Sequence, residues 1–304
     1  MIYKQDSSID SSLNRTSRLS PAALPDIQNA PTGIKGAPVP IMRVGISKFR
    51  LPLHFKAADN KLLTLESTIS GHVSLEANRK GIHMSRIMRS FYDYKEEQFT
   101  VDTLAKILET YKRELDSKQA HLKIQFNYPI LQKSLKSELV GYQYYKCGYE
   151  ATLDECNILR RFIHFNFEYS SACPCSTQLA EHSLAEKNIS AIPHSQRSIA
   201  SIKVELEDEK TLSIENLQEH CVQALQTETQ VMVKREDEQK FAELNYEHQK
   251  FVEDAVRLVY KELNTDFDIA DFSIKCTHYE SLHSHNAVAS LCKGIPGGFD
   301  LNEH

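Results

Sequence analysis

Polar and apolar residues alternate through Val44–His54 and again through Leu62–Ser74, with β-branched residues between breakers, so two successive strands are expected as a hairpin. The period then lengthens. Val101, Leu104, Leu108, Tyr111 and Leu115 recur at helical spacing behind the capping residue Thr100, which predicts a helix over Val101–Leu115, with a shorter one over Ile82–Tyr94. Alternation returns at His121–Tyr128, Gly141–Tyr149 and Ile163–Tyr169, where aromatics interleave with polar residues. A strand at Ser198–Leu206 follows. Beyond it a helix is expected at Ile214–Ala224 and a long one at Glu236–Leu263, whose stripe is Phe241, Leu244, Phe251, Val252, Val256 and Val259. Phe272–Tyr279 closes the series as a strand.

Strands and helices come in groups rather than alternating singly, which favours an α+β fold with antiparallel sheet over a doubly wound parallel one. The element order reads as one ββαα-type unit used twice, without a residue-level repeat. Residues 1–36, rich in Ser, Asn and Pro, are expected to form a mobile tail that carries the segment PDIQ at Pro25–Gln28.

Composition narrows the function classes. The 304 residues are 41% hydrophobic and 25% charged, and no apolar run approaches the ~20 residues of a membrane-spanning helix. No apolar core follows the N-terminal MIYKQDSSID, so a cytoplasmic protein is expected. With 36 basic and 41 acidic residues the net charge is -5, so neither a nucleic acid nor a membrane is an expected partner and any polyanion must be met by a local pocket. The seven cysteines read as thiols rather than a disulfide framework.

Three polar clusters could carry chemistry: SACPCS around Cys173 and Cys175, IPHSQRS around His194, and HYESLHSHNA from His278 to Ala287. A thiolate is both a nucleophile and a soft metal ligand, and Pro174 stiffens the turn between the two sulfurs. Taken singly, each cluster also fits a plainer reading: a lone CxC is commonly structural, and His, Ser and Glu are ordinary in solvated loops. The run KREDEQ would normally be the wet face of a helix. Signatures for dinucleotide binding, P-loop nucleotide binding, zinc proteolysis and the serine-hydrolase elbow are missing from the sequence.

Taken in order, PDIQ, VGISKFRLPL, SLEANRKGIHMSR, SACPCS, HSQRS, KREDEQ, FVEDAVR and ESLHSHNA resemble the prokaryotic type IB GTP cyclohydrolase family, from about Pro25 to about Val288. The resemblance implies a tunnelling fold of antiparallel sheets with paired helices. It implies two modules per chain, over 37–165 and 166–290, the second holding the metal and catalytic residues, with 291–304 as a C-terminal tail. The chain would assemble into an oligomeric barrel, a homo-oligomer taken as a tetramer, with active sites at subunit interfaces. The implied reaction turns GTP and water into formate and 7,8-dihydroneopterin triphosphate, the first step of tetrahydrofolate biosynthesis, by metal-activated attack of water on carbon 8 of the guanine.

The resemblance also assigns roles. Cys173, His194 and Glu238 correspond to the ligands of one divalent metal, zinc, manganese or iron(II), with no organic cofactor. A mixed sulfur, nitrogen and oxygen set leaves the choice among them open. Cys175 and His283 become proton-transfer groups, an imidazole being able to hold either protonation state near neutrality. Glu280 joins them as a catalytic residue, and His285 as a substrate contact. Glu253 corresponds to the carboxylate that anchors the guanine edge. Arg79, Lys80, His83 and Arg86, with Arg197, form the basic pocket for the triphosphate. The connector between Cys175 and His194 is long and contains His182; His194 is taken as the ligand because it sits in the HSQRS string. Two alternatives stay open: another tunnelling-fold purine or pterin enzyme of queuosine synthesis, and a non-catalytic metal-binding protein.

Overall fold

The computed structural model describes residue 28, residues 33–57 and residues 60–300. Most of the expected tail, including Pro25, Asp26 and Ile27 of PDIQ, lies outside the described residues. Eight strands form one antiparallel sheet in chain order: β1 (Ile41–Lys56), β2 (Leu62–Leu75), β3 (Ala120–Lys133), β4 (Val140–Leu153), β5 (Leu159–Ala172), β6 (Ser195–Leu206), β7 (Ile269–His278) and β8 (Ala287–Cys292). Helices α1 (Met84–Tyr92) and α2 (Val101–Leu115) join β2 to β3, and α3 (Pro174–Lys187) joins β5 to β6. Between β6 and β7 come α4 (Ile214–Leu225), α5 (Arg235–Glu247) and α6 (Val252–Leu263). No helix among the described residues is long and apolar enough to cross a membrane.

Alternation builds the core. Leu122, Ile124 and Phe126 of β3, Ile163, Phe165 and Phe167 of β5, and Phe272, Ile274 and Cys276 of β7 are buried against the apolar stripes of the helices. The stripe of α2 is the one its spacing predicts, and Thr100 caps it by accepting from the Thr103 N–H. Strand β3 continues through Pro129 because it pairs with β2 only as far as Phe126; beyond that the missing N–H removes no ladder bond on the β2 side.

Three expectations need correction. The single helix over Glu236–Leu263 is two helices, because the chain turns between them: the Lys250 N–H bonds the Ala172 carbonyl at the end of β5, and Asp254 restarts the helix by accepting from the Phe251 N–H at 3.1 Å. Glu238 and Glu253 therefore stand on different helices. The connector after Cys173, which carried no element in the sequence reading, is helix α3 with Pro174 in its first turn. Residues 291 and 292, expected in a tail, end strand β8, and the chain after them packs back. Asp271 accepts from the Gly294 and Phe299 N–H groups at 2.9 and 2.6 Å, and Phe299 is buried against Phe162. The expected module boundary at 165/166 falls within β5.

Candidate active site

The β5–β6 ladder ends at the pair Ala172–Ser195, so the next residues on each strand, Cys173 and His194, face each other. They are tied directly: the Cys173 N–H donates to the His194 carbonyl at 3.2 Å, and the His194 N–H donates to Ser176 Oγ at 3.2 Å. Helix α3 takes up the long connector between them, and its His182 is exposed. Cys173 is the N-cap of that helix, its carbonyl accepting from the Thr177 backbone and hydroxyl, which leaves the half-buried thiol at the strand end.

Side chains hold the imidazole. His194 Nδ1 lies 3.2 Å from Gln196 Oε1 and 3.6 Å from Glu280 Oε2. Gln196 Nε2 donates to Ser171 Oγ at 2.8 Å, and Ser171 shares a 2.8 Å hydrogen bond with Ser198. A proton on Nδ1 given to Gln196 leaves Nε2 as the free acceptor, which is the usual arrangement of a metal-binding histidine. Glu280 arrives from the end of β7, its side chain 13% exposed.

Glu238 comes to the same end of the sheet from α5. It lines a cavity of about 410 Å³ together with Ala172, Thr177, Pro193, Ser195, Phe241 and Tyr246. The next residue back, Asp237, was not singled out by sequence and anchors this helix start. Buried, it accepts from the Lys136 and Ser137 N–H groups at 2.6 and 2.9 Å and from the Lys234 N–H at 2.8 Å, clamping α5 to the β3–β4 turn. The only sequence signal for it is an aspartate in the first turn of a helix. Donor chemistry at this end suits a divalent metal. Even so, among the described residues no three His, Cys, Asp or Glu side chains stand close enough together to hold an ion.

Below the strand end lies a second group that sequence reasoning missed. Lys250 and His278 are both buried, and Tyr169 shares a 2.9 Å hydrogen bond with His278 Nε2. Burial pulls the Lys250 ammonium down to about 8; burial, then the charge of Lys250, pulls His278 down to about 4. Lys250 has no motif around it, and His278 opens the HYESLHSHNA cluster but was given no role of its own; Lys250 comes near it through the turn between α5 and α6.

The remaining expected residues are dispersed. Cys175 is exposed on the first turn of α3, and the rings of His283 and His285 stack at 4.9 Å in the exposed segment before β8. Glu253 is exposed at the start of α6. Arg197 is exposed and 3.8 Å from Glu168. Arg79 donates to the Leu115 and Asp116 carbonyls at 2.7 and 2.6 Å, and Arg86 donates to the Glu114 carbonyl, so both close the C-terminus of α2. Exposed Lys80 follows Arg79, and His83 stands at the N-cap position of α1 without a side-chain cap bond. Among the described residues no hydrogen bond, ion pair or ring contact joins Arg79, Lys80, Arg86 or Glu253 to Cys173, His194 or Glu280.

Residues 24–289 match the family model described as type I GTP cyclohydrolase folE2. Curated relatives named GTP cyclohydrolase FolE2 include one from Cereibacter sphaeroides, 50% identical over 274 residues covering 90% of this chain and 76% of that protein. Another, from Roseobacter denitrificans, is 47% identical over 294 residues covering 96% and 78%. Among solved structures, uricase from Arthrobacter globiformis is similar in fold, with a TM-score of 0.56 and 8% identity over 85% of this chain and 95% of that one.

Proposed function

The chain belongs to the type I GTP cyclohydrolase FolE2 family and is a GTP cyclohydrolase of folate biosynthesis, and from that premise we propose that it converts GTP and water to formate and 7,8-dihydroneopterin triphosphate by hydrolysis at carbon 8. The observation that carries the reading is the meeting of Cys173 and His194 at the end of the β5–β6 ladder, with Glu280 beside the imidazole.

Cys173, His194 and Glu238 would be the residues that hold one divalent metal, zinc, manganese or iron(II), although in a single chain they do not stand close enough together to enclose it. When bound, that ion supplies Lewis acidity and lowers the pKa of water toward neutrality. The protein does the rest. Gln196 Oε1 accepts a hydrogen bond from the Nδ1–H of His194, which leaves Nε2 as the free acceptor, while Glu280 stabilises positive charge on the ring. Cys175 and His283 move protons to and from the opening imidazole ring of the purine, and Glu253 accepts from the guanine ring N–H and exocyclic amine. Arg79, Lys80, His83, Arg86, Arg197 and His285 meet the polar and triphosphate portions of the substrate.

The dispersion of these groups within one chain supports a site completed by a second copy, in a homo-oligomer that we take to be a tetrameric barrel of the tunnelling fold. Likeness to uricase supports that fold, and β1 and β8 are sheet edges paired on one side, suited to continuing the sheet into neighbours. We further read β1–β4 with α1 and α2, and β5–β8 with α4 and α6, as the two modules, α3 and α5 being additions to the second. The proposed compartment is the cytoplasm, where the seven thiols stay reduced. The test is incubation of metal-reconstituted protein with GTP. Formate release together with pterin fluorescence is expected; GTP left intact by metal-loaded protein would overturn the reading.

A further inference from the structure

Within β3, Lys123 lies between the buried Leu122 and Ile124, so it stands on the sheet face turned away from the helices. Glu150, His164, Lys203 and Lys275 lie on that face of β4, β5, β6 and β7. These residues line a hollow of about 350 Å³ walled at one side by Phe299. Glu150 is the one carboxylate among the described lining residues. It is already surrounded: His164 Nε2 stands at 2.7 Å, His121 Nε2 at 3.2 Å, Lys203 Nζ at 3.3 Å and Lys123 Nζ at 3.5 Å. Three lysines against one carboxylate leave two positive charges in excess, even with both histidines neutral.

Nearby carboxylates do not make up the difference. Glu205 is held by both arms of Arg160 at 2.6 and 2.7 Å, and Asp271 is spent on the backbone N–H groups of Phe272, Gly294 and Phe299. Lys275 pairs with no carboxylate among the described residues. Asn166, Ser201 and Ser273 also line the hollow, and among the described residues their side chains make no hydrogen bond. Lys203 is fixed in direction by its place over the rings of Phe162 and Phe299, 4.3 and 5.3 Å from their centroids. Lys203 and Lys123 are therefore set in place before any ligand arrives, and Lys275 stands uncommitted with the polar donors beside them, in a concavity where desolvation strengthens each contact.

We propose that this hollow is a binding site for a small dianionic oxyanion, a phosphate or a dicarboxylate, separate from the cyclohydrolase site. The anion accepts from Lys203, Lys275 and Lys123 and from the amide or hydroxyl groups of Asn166, Ser201 and Ser273. Glu150, paired with Lys203 and Lys123, offsets one of the three positive charges, so the site takes one such anion. The inference goes beyond the reaction and does not rest on it, since Cys173 and His194 sit at the far end of the β5–β6 ladder.

Isothermal titration of the full-length protein with sodium phosphate and, separately, sodium malonate, at ionic strength held constant with chloride, tests it. Saturable binding of at least one anion is expected, weakened about tenfold in Lys275→Gln, the loss of one charge-assisted hydrogen bond. Thermal denaturation checks that this variant folds, and Lys123→Gln serves as a second variant. Binding of phosphate alone identifies a phosphoryl ligand, and binding of malonate alone a dicarboxylate; each supports the site. No saturable heat with either anion would overturn it. So would equal affinity in wild type and both variants, which would move the anion to the triphosphate pocket.

Discussion

The strand end that carries Cys173 and His194 and the stretch between β2 and α2 that carries Arg79 and Arg86 were both expected to face substrate, yet they spend their polar groups differently. At the first, side chains bond to one another: His194 to Gln196, Gln196 to Ser171, Ser171 to Ser198. At the second, the arginines bond to backbone, satisfying carbonyls at the end of α2 that have no partner within the helix. The hydrogen-bond chain around His194 is thus organised within one chain. Arg79 and Arg86 are committed to holding a helix, and would meet the proposed triphosphate only by sharing or giving up those carbonyls.

Removing Cys173 or His194 should give the largest effect. Cys173→Ala and His194→Ala are each expected to leave less than about a thousandth of the activity and to lower metal content, because the proposed divalent ion would lose one of its few protein ligands. Metal analysis beside the GTP assay decides; full occupancy in both variants would break the chemical side of the comparison.

Next in size is a pH effect beneath the same strand end. The folded pKa of His278, about 4, lies below its value of about 6.5 in an unfolded chain, so the unfolded chain takes the proton first and stability falls as pH drops between those values. The loss is on the order of 3 kcal/mol, read from urea melts across that range, and should shrink in His278→Gln. An unchanged slope in the variant would assign the acid sensitivity elsewhere.

Glu253→Gln should weaken GTP binding roughly thirtyfold, about 2 kcal/mol, with metal retained, since a charged acceptor gives way to an amide donor facing another donor. Titration of GTP to the metal-loaded variant measures it, and normal binding would return Glu253 to the solvated helix surface. Smallest is Arg79→Ala, expected to cost about 1–2 kcal/mol of stability through α2. A lower Tm with unchanged KM keeps Arg79 with the fold; a raised KM at unchanged Tm would erase the contrast between the two regions.

Much of the fold was legible because period and caps are local. Helix α2 was bounded to the residue by its stripe and Thr100, and alternation located seven of the eight strands, β8 being missed. What was not legible depended on contacts distant in sequence. The break between α5 and α6 comes from the Lys250 N–H reaching β5, which no stripe can encode, and α3 lacks a clear apolar face, so periodicity passed over it. At the site, family strings pointed to Cys173, His194 and Glu280, which the fold brings together. The same strings could not foresee that Arg79 and Arg86 bind carbonyls, nor that Asp237 rather than its neighbour Glu238 would be buried. Both depend on where a helix end meets another part of the chain.

Strand order in the sheet is strand order in the chain, which has a consequence for synthesis. As the polypeptide leaves the ribosome, each new strand has its partner already present as the exposed edge of a growing ladder, and no earlier pair must reopen to admit it. Folding can therefore proceed by accretion from β1 toward β8. The cost is that every intermediate displays a fresh, unpaired edge to neighbouring nascent chains on the same message. Two such chains translated side by side could pair edge to edge before either is complete, so that translation rate would influence how subunits find one another.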